Sequence, residues 1–156
     1  MNVSQQSSKA QDRTLRVWFQ KIQNGEIKLP RFQRFQAWDK KRITSLLETI
    51  SYNLPLGITL LLEVDEEKFD SRYLATAPET GVRVNEHLLD GQQRLTSLWR
   101  SMNNNYEHET YFIYIPEFDR DLNDGLQNDN MMPHCQGRWF KRGRKYPLWA
   151  DDPKAI

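Results

Sequence analysis

Apolar residues recur at helical spacing in three stretches of the chain. Each stretch has apolar side chains at positions i, i+3, i+4 and i+7, which places them on one face of an α-helix. The three predicted apolar faces are Leu15, Trp18, Phe19 and Ile22; Ile43, Leu46, Leu47 and Ile50; and Leu95, Leu98, Trp99 and Met102.

Short polar residues and a glycine mark the predicted ends of these helices. Asp12 is the predicted N-cap of the first helix, and Gly25 is its predicted stop. The second helix is predicted to begin at Asp39. At the third, Asp90 and Gln93 have the spacing of a capping box, with the carboxylate at the cap and the amide three residues later.

The segments between the helices predict strands, because they are β-branched, aromatic or alternating. The predicted strands are 27–29, ending at Pro30; 57–64, apolar enough to be a central strand; 82–89, leading into the third helix; and 110–115. Residues 72–76 predict an edge strand or half of a hairpin. Since helices and strands intermix without regular alternation, the pattern predicts a compact α+β domain, a small mixed sheet packed with about three helices.

The two ends of the chain differ from its middle in amino-acid composition. Residues 1–11 are polar, lack the apolar centre of a signal peptide and are predicted to be disordered. Residues 117–132 are acidic and amide-rich, and 138–145 is a basic run with two aromatic residues. We therefore expect one domain over 12–116 and a loop-rich extension over 117–156, the start of a further helical region.

Composition narrows the class of function. The 156 residues include 22 Lys and Arg against 21 Asp and Glu, so a nucleic-acid site would have to be a local patch. A single cysteine, Cys135, excludes an internal disulfide framework and suits a reducing cytoplasm. The best apolar run, 58–62, is far too short to cross a membrane. We expect a cytoplasmic protein with no membrane partner.

The predicted strand-to-helix junction, Asp90-Gly91-Gln92-Gln93-Arg94, holds the strongest candidate chemistry. A helix N-terminus offers unpaired N–H groups and the positive end of a dipole, so Gly91 and Arg94 there predict a pocket for phosphate or another anion. The alternative is structural: Asp90 caps the helix, Gln93 completes the box and Gly91 permits a close approach. That alternative leaves Arg94 unexplained, because a cation in the first turn opposes the dipole.

Three other segments carry weaker signals. Residues 31–38 contain two arginines, two glutamines and three aromatics, which suit phosphate and base contacts, or a loop with packed aromatics and solvated arginines. Residues 53–57 could line a pocket or form a rigid turn. The C-terminal cations predict either contact with DNA or a solvated loop: they are Arg138, Lys141, Arg142, Arg144 and Lys145.

Three segments together resemble one family. Residues 30–38 (PRFQRFQAW), 54–57 (LPLG) and 89–96 (LDGQQRLT) are similar in order and spacing to the N-terminal domain of GmrSD-type restriction enzymes. That domain belongs to the ParB/sulfiredoxin-like superfamily. The resemblance covers residues 12–115 well and 139–148 more weakly.

The resemblance implies binding of a nucleoside triphosphate with Mg²⁺, and its hydrolysis, in defence against phage or foreign DNA. Gly91 and Gln92 would offer N–H groups to phosphate, and Arg94 would pair with a phosphate oxygen. Asp90 would hold the metal or position water, and Gln93 would orient that water.

The opposite wall of that nucleotide site would be closed by Gln33 and Arg34. Family members commonly continue into a helical region and an HNH-type nuclease module, so the resemblance implies gating of a nuclease supplied in cis or in trans. Two alternatives stay open: a ParB-like DNA-binding module without nucleotide turnover, and a structural adaptor in which the motif is only a cap.

Overall fold

The structure, a computed structural model, describes residues 10–65, 70–114 and 132–152. Its helices are α1 (Leu15–Gln23), α2 (Lys40–Ser51) and α3 (Gln92–Met102), and a short 3₁₀ turn spans Leu148–Ala150. Its strands are β1 (Ile27–Pro30), β2 (Leu60–Glu63), β3 (Ser71–Arg72), β4 (Glu86–Asp90), β5 (Glu109–Tyr114), β6 (Met132–Gly137), β7 (Trp139–Lys141) and β8 (Arg144–Tyr146). The predictions of disorder at the N-terminus and of a loop over 117–132 fall almost wholly outside the described residues. No helix in the described part is both long and apolar enough to cross a bilayer.

A four-stranded mixed sheet forms the centre of the fold, in the order β2-β4-β1-β3. β1 and β4 run parallel, with Ile27 opposite Glu86, and the two outer pairs are antiparallel. β5 pairs with β6, and β7 pairs with β8, in two separate antiparallel ribbons. This architecture confirms the predicted α+β class with a small mixed sheet and three helices.

The hydrophobic core lies where α1 and α3 meet the sheet. Leu29 of β1 and Leu88 of β4 are fully buried there. Phe19 of α1 meets Trp99 of α3 edge to face, with ring centroids 5.6 Å apart. Burial of one such large side chain stabilises the fold by about 1.5–3 kcal/mol. The apolar faces predicted for the first and third helices therefore supply much of this core.

Two predicted strands differ from the observed ones. The segment 57–64 was predicted to be central, but β2 lies at an edge of the sheet and begins only at Leu60. β4 begins at Glu86, and its first three residues are all buried instead of alternating. Three consecutive buried residues mean that both faces of β4 are covered, as in central strands of layered folds.

The helix caps confirm two predictions and correct one. Asp39 caps α2, and its side chain accepts a bond from the backbone N–H three residues on. Gly25, with φ of +75°, follows the end of α1 as predicted. The predicted N-cap Asp12 is wrong, because Thr14 caps α1 through its hydroxyl. The cap therefore lies directly before the first apolar residue of the helix.

Residues 132–146 contain three strands that were not predicted, since this part of the chain was expected to be loop-rich. β6 lies beside the aromatic strand β5, with Gln136 opposite Thr110. Helix α2 also packs against β6. The pairing of β5 with β6 joins residues that lie from 18 (Tyr114 and Met132) to 28 (Glu109 and Gly137) positions apart, so the local pattern of 132–137 did not reveal it.

A buried carboxylate ties the start of α1 to the sheet. Arg13 donates two hydrogen bonds to Glu86, at 2.6 and 2.7 Å, and Lys21 lies 3.1 Å from the same carboxylate. Burial alone would raise the pKa of Glu86, but the bonds and charges of Arg13 and Lys21 outweigh it and the pKa is lowered. The carboxylate therefore stays ionised inside the fold.

Candidate functional site

A cavity of about 260 Å³ opens at the N-terminus of α3. Six of the seven residues predicted to form the site line it, and Gln33 is the exception among them. Trp38 and Leu89 also line it, and neither was predicted as a site residue. The lining residues are Arg34, Trp38, Leu89, Asp90, Gly91, Gln92, Gln93 and Arg94.

The turn from β4 into α3 depends on Gly91. Its φ is +87°, and a Cβ there would lie 3.0 Å from the Thr59 hydroxyl and 3.4 Å from an Arg94 nitrogen. Gly91 is the N-cap, with no side-chain cap, and Asp90 is the last residue of β4. The predicted capping box of Asp90 and Gln93 is therefore wrong. No side-chain cap binds the first N–H groups of α3, so the N-terminus of this helix is open to an anion.

Arg94 is half-buried, and its guanidinium is held from behind. One of its nitrogens donates to the Ile58 carbonyl, its one hydrogen-bond partner among the described residues. A Cβ on Gly57, whose φ is +86°, would lie 3.1 Å from another of its nitrogens. The segment 53–57 therefore ends as a close turn against Arg94 and does not line the cavity. Because a guanidinium has five N–H donors, Arg94 keeps donors for a ligand.

Two glutamines of α3 hold the main chain of residues 31–38, which we call the aromatic loop. Gln92 donates to the Arg34 carbonyl at 2.8 Å. Gln93 donates to the Phe35 carbonyl at 3.1 Å and accepts from the Ala37 N–H at 2.8 Å. Both amides thus bind loop backbone. The water-orienting role implied for Gln93 stays a prediction, and its observed role is to position the loop.

The sheet holds the same loop from the other side. Gln33 donates to the Leu88 and Leu89 carbonyls at 2.6 and 3.0 Å, so it binds the end of β4 and not the cavity. Arg72 of β3 donates to the Arg34 carbonyl at 2.9 Å, and its guanidinium lies 4.3 Å from the centre of the Phe35 ring. Nothing in the sequence around Arg72 indicated this contact.

A third set of contacts fixes the end of the aromatic loop near α3. Gln36 donates to the Tyr106 hydroxyl at 2.7 Å and accepts from Arg100 at 2.7 Å. Burial raises the pKa of Tyr106, so its hydroxyl stays protonated. The loop is therefore bound at several points of its backbone and side chains, and this places Arg34 and Trp38 at the cavity.

The structural alternative for the aromatic loop is wrong, because two of its aromatic side chains are exposed. That alternative had the aromatics packed on the core and the arginines in solvent. Phe32 and Phe35 are 73% and 76% exposed. Arg31 and Arg34 are exposed as well, and Arg31 forms a surface ion pair with Asp70 at 3.1 Å. The loop therefore presents both kinds of side chain outward.

The site offers one carboxylate, Asp90, to a metal ion. Asp90 is exposed at the end of β4. In the part of the chain that the structure describes, no three His, Cys, Asp or Glu residues group as metal ligands. Mg²⁺ usually takes one or two carboxylates together with substrate phosphates and waters. The residues present therefore fit a metal that arrives with a polyphosphate better than one held by the protein alone.

The cations predicted to contact DNA do not share one environment. Lys141, Arg142, Arg144 and Lys145 lie on the β7–β8 hairpin. Arg138 is only 7% exposed, and it forms an ion pair with Asp151. The structure thus gives Arg138 a structural partner and leaves the other four as candidates for DNA contact, which stays a prediction.

Comparison with known sequences identifies the family. Residues 15–147 match the GmrSD restriction endonuclease N-terminal domain family, so the chain belongs to that family. The match confirms the resemblance found in the sequence, and it includes the aromatic loop, the β4–α3 turn and the eight strands that the structure describes.

A relative in Methanocaldococcus jannaschii is much longer than this chain. That uncharacterized protein is 33% identical over 105 residues, which is 63% of this chain. The chain spans only 16% of the length of that relative.

Proposed function

We propose that this chain binds a nucleoside triphosphate at the cavity beside α3 and hydrolyses it. One observation carries the proposal: the Arg94 guanidinium is fixed against Gly57 and Ile58 at a helix N-terminus without a side-chain cap, beside an open cavity. A guanidinium fork and main-chain N–H groups are the donors that proteins use for phosphate.

The size of the cavity favours the polyphosphate over the whole nucleotide. Pockets that enclose a complete small ligand usually measure about 300–1,000 Å³. At about 260 Å³ this cavity suits the phosphates, and the nucleoside would lie at its mouth beside the aromatic loop. We therefore expect weak discrimination between bases.

Each polar residue of the lining has a role in this proposal. Arg34 and Arg94 neutralise phosphate charge, and the N–H groups of Gly91 and Gln92 orient the phosphates. Asp90 would hold Mg²⁺, which would offset the negative charge that develops on the phosphates during transfer. Phosphoryl transfer requires positioning and charge more than covalent chemistry, so these groups are of the right kind.

We further propose that the nucleotide gates a nuclease in a GmrSD-like restriction or phage-defence protein. The family supports the restriction context. The nuclease would be a helical or HNH-type module, joined in the same polypeptide or bound as a partner.

A screen of the four nucleoside triphosphates with Mg²⁺ tests the proposal. The chain should show a rise in Tm with each triphosphate and should release phosphate from at least one. Inorganic tripolyphosphate should compete with the nucleotide, because the cavity suits the phosphates. No rise in Tm at millimolar nucleotide, with no phosphate release, would contradict the proposal.

Asp90→Asn should abolish Mg²⁺-dependent phosphate release while leaving the fold intact. Asp90 ends β4 and caps no helix, so its charge is not needed for stability. We expect nucleotide binding without Mg²⁺ to be unchanged and phosphate release with Mg²⁺ to be lost. Asp39→Asn is the matched control, since it also removes one exposed carboxylate but lies outside the cavity. Equal Mg²⁺-dependent release by Asp90→Asn and the unmodified chain would show that Asp90 does not hold the metal.

The second candidate function, a DNA-binding module without nucleotide turnover, is favoured by the cations of the β7–β8 hairpin. The same screen separates the two candidates. A module of that kind would bind duplex DNA with a steep dependence on salt and release no phosphate from any nucleotide.

A further inference from the structure

Arg72 reaches the aromatic loop from an outer strand of the central sheet. Its strand, β3, pairs with the end of β1, and Arg72 lies opposite Leu29. The aromatic loop begins soon after Leu29, so this pairing places Arg72 beside the start of the loop. A backbone bond of 2.9 Å from the Arg31 N–H to the Asp70 carbonyl continues the contact between the two segments.

The guanidinium of Arg72 contacts three consecutive residues of the loop. It donates to the Gln33 carbonyl at 3.2 Å and to the Arg34 carbonyl at 2.9 Å, and it lies 4.3 Å from the centre of the Phe35 ring. Its Nε atom is buried and has no hydrogen-bond partner among the described residues. An unpaired buried donor lowers stability, so the contacts with the loop set this orientation although one donor stays unpaired.

The Arg34 carbonyl joins the sheet to the N-terminus of α3. A carbonyl oxygen has two lone pairs, and this one accepts from Arg72 at 2.9 Å and from the Gln92 side chain at 2.8 Å. Gln92 is the first residue of α3. Arg34 lines the cavity and Arg72 does not. The backbone of one cavity arginine is therefore held from both sides, and Arg72 supplies the bond from the sheet.

We propose that Arg72 is a positioning residue for polyphosphate, which acts by placing the Arg34 guanidinium at the cavity. The inference rests on the proposed nucleotide site and adds a residue outside the cavity to it. An arginine on a loose loop loses conformational freedom when it binds phosphate, and a loop that is fixed beforehand lowers that cost. Arg72 thus raises the affinity for phosphate without touching the ligand.

A double-mutant cycle tests whether Arg72 acts through Arg34. The Kd of inorganic tripolyphosphate with Mg²⁺ is measured by titration calorimetry on the whole chain. Arg34→Ala should bind on the order of tenfold more weakly, because it loses a charged hydrogen bond to phosphate. Arg72→Ala should bind about fivefold more weakly, because Arg34 is then less well fixed.

The double variant of Arg34 and Arg72 gives the decisive value. It should bind within about twofold of Arg34→Ala, because Arg72 has nothing to position once Arg34 is gone. Independent contributions would add in free energy, and the double variant would then bind about fiftyfold more weakly than the unmodified chain. That additive result would overturn the proposal.

Arg72→Lys separates positioning from charge. Lysine keeps the positive charge and loses the planar fork that bonds two carbonyls. Its Kd should therefore lie closer to that of Arg72→Ala than to that of the unmodified chain, and the reverse would show that the charge of Arg72 acts directly. Should Arg72→Ala be unfolded at the temperature of measurement, Arg72→Lys replaces it in the cycle with Arg34→Ala.

Lys28→Ala is the matched control. Lys28 of β1 lies 4.7 Å from the centre of the Tyr73 ring, so this variant also removes a cation stacked on an aromatic ring of the same sheet. It lies outside the cavity, and its Kd should stay within about twofold of the unmodified value.

The remaining outcomes separate this proposal from the proposed function. An equal loss of affinity in Lys28→Ala and Arg72→Ala overturns the role of Arg72, and so does an unchanged Kd in Arg72→Ala. Either result leaves the phosphate site itself in place. Absence of tripolyphosphate binding by the unmodified chain overturns the phosphate site and the role of Arg72 together.

Discussion

Replacing Arg94 by alanine is expected to abolish the rise in Tm that nucleoside triphosphates give to this chain. A ligand at one hundred times its Kd stabilises a fold by about 2.7 kcal/mol, and that stabilisation disappears when the ligand no longer binds. Arg94 is the cavity residue whose guanidinium is fixed at the N-terminus of α3, so its loss removes the main cation for phosphate. The measurement is Tm with and without each triphosphate, in the presence of Mg²⁺.

The fold itself should survive this substitution. Arg94→Ala removes one hydrogen bond to the Ile58 carbonyl, which is worth about 1 kcal/mol in the free protein. Arg94→Lys should restore part of the nucleotide response, because it keeps the charge and loses the planar fork. Arg83→Ala, at an exposed arginine outside the cavity, should respond like the unmodified chain. A full nucleotide response in Arg94→Ala would exclude the proposed phosphate site.

Of these single substitutions, Glu86→Ala should cause the largest fall in the free energy of unfolding. It leaves Arg13 without the acceptor of its two hydrogen bonds, and Lys21 without its ion pair at 3.1 Å. Removing one partner of a buried ion pair costs about 3–5 kcal/mol, and we expect about 2–3 here because Lys21 is partly exposed. The fall in Tm should be about 6–10 °C.

A surface ion pair of similar length is the control for Glu86. Arg31 and Asp70 lie 3.1 Å apart, and both side chains are largely exposed. Asp70→Asn should change the free energy of unfolding by less than about 1 kcal/mol, because water already screens this pair. If both substitutions had the same small effect, the buried cluster around Glu86 would not be what holds α1 to the sheet.

The pKa of Glu86 adds a pH dependence with a definite sign. Because this pKa is lowered in the folded state, the carboxylate stabilises the fold above its ordinary pKa of 4.5. That stabilisation is lost as the pH falls through the lower, folded value. Denaturant unfolding measured from neutral to acidic pH should therefore show a loss of stability in the unmodified chain that is smaller in Glu86→Gln.

The local sequence pattern predicted the three helices and two of their ends. The apolar repeat of each helix and the caps at Asp39 and Gly25 involve residues within a few positions of each other, so the sequence contains the whole signal. The exceptions are also instructive. Asp90 and Gln93 have the spacing of a capping box, yet Gly91 takes the cap position, and the Gln93 amide binds the aromatic loop instead.

The residues of the candidate site were easier to find than their roles. Six of the seven predicted residues line one cavity: five belong to the continuous motif around the β4–α3 turn, and Arg34 comes from the aromatic loop. Gln33 binds strand carbonyls, and Arg72 supports the aromatic loop although it lies 38 positions from Arg34 in the chain. A spacing rule detects side chains on one element, and it does not tell which backbone groups of another element they meet.

The sequence alone determined the family, the α+β class, the three helices and the segment that lines the candidate site. The helices and the site segment follow from residues that are neighbours in the chain, and the family follows from the order and spacing of three such segments. Tertiary structure decided that β2 is an edge strand, that β6 pairs with β5, that Arg138 is buried and that α3 binds the aromatic loop through its glutamines. Those features depend on contacts between distant residues, whose strength is set by packing and burial in three dimensions and not by any local period.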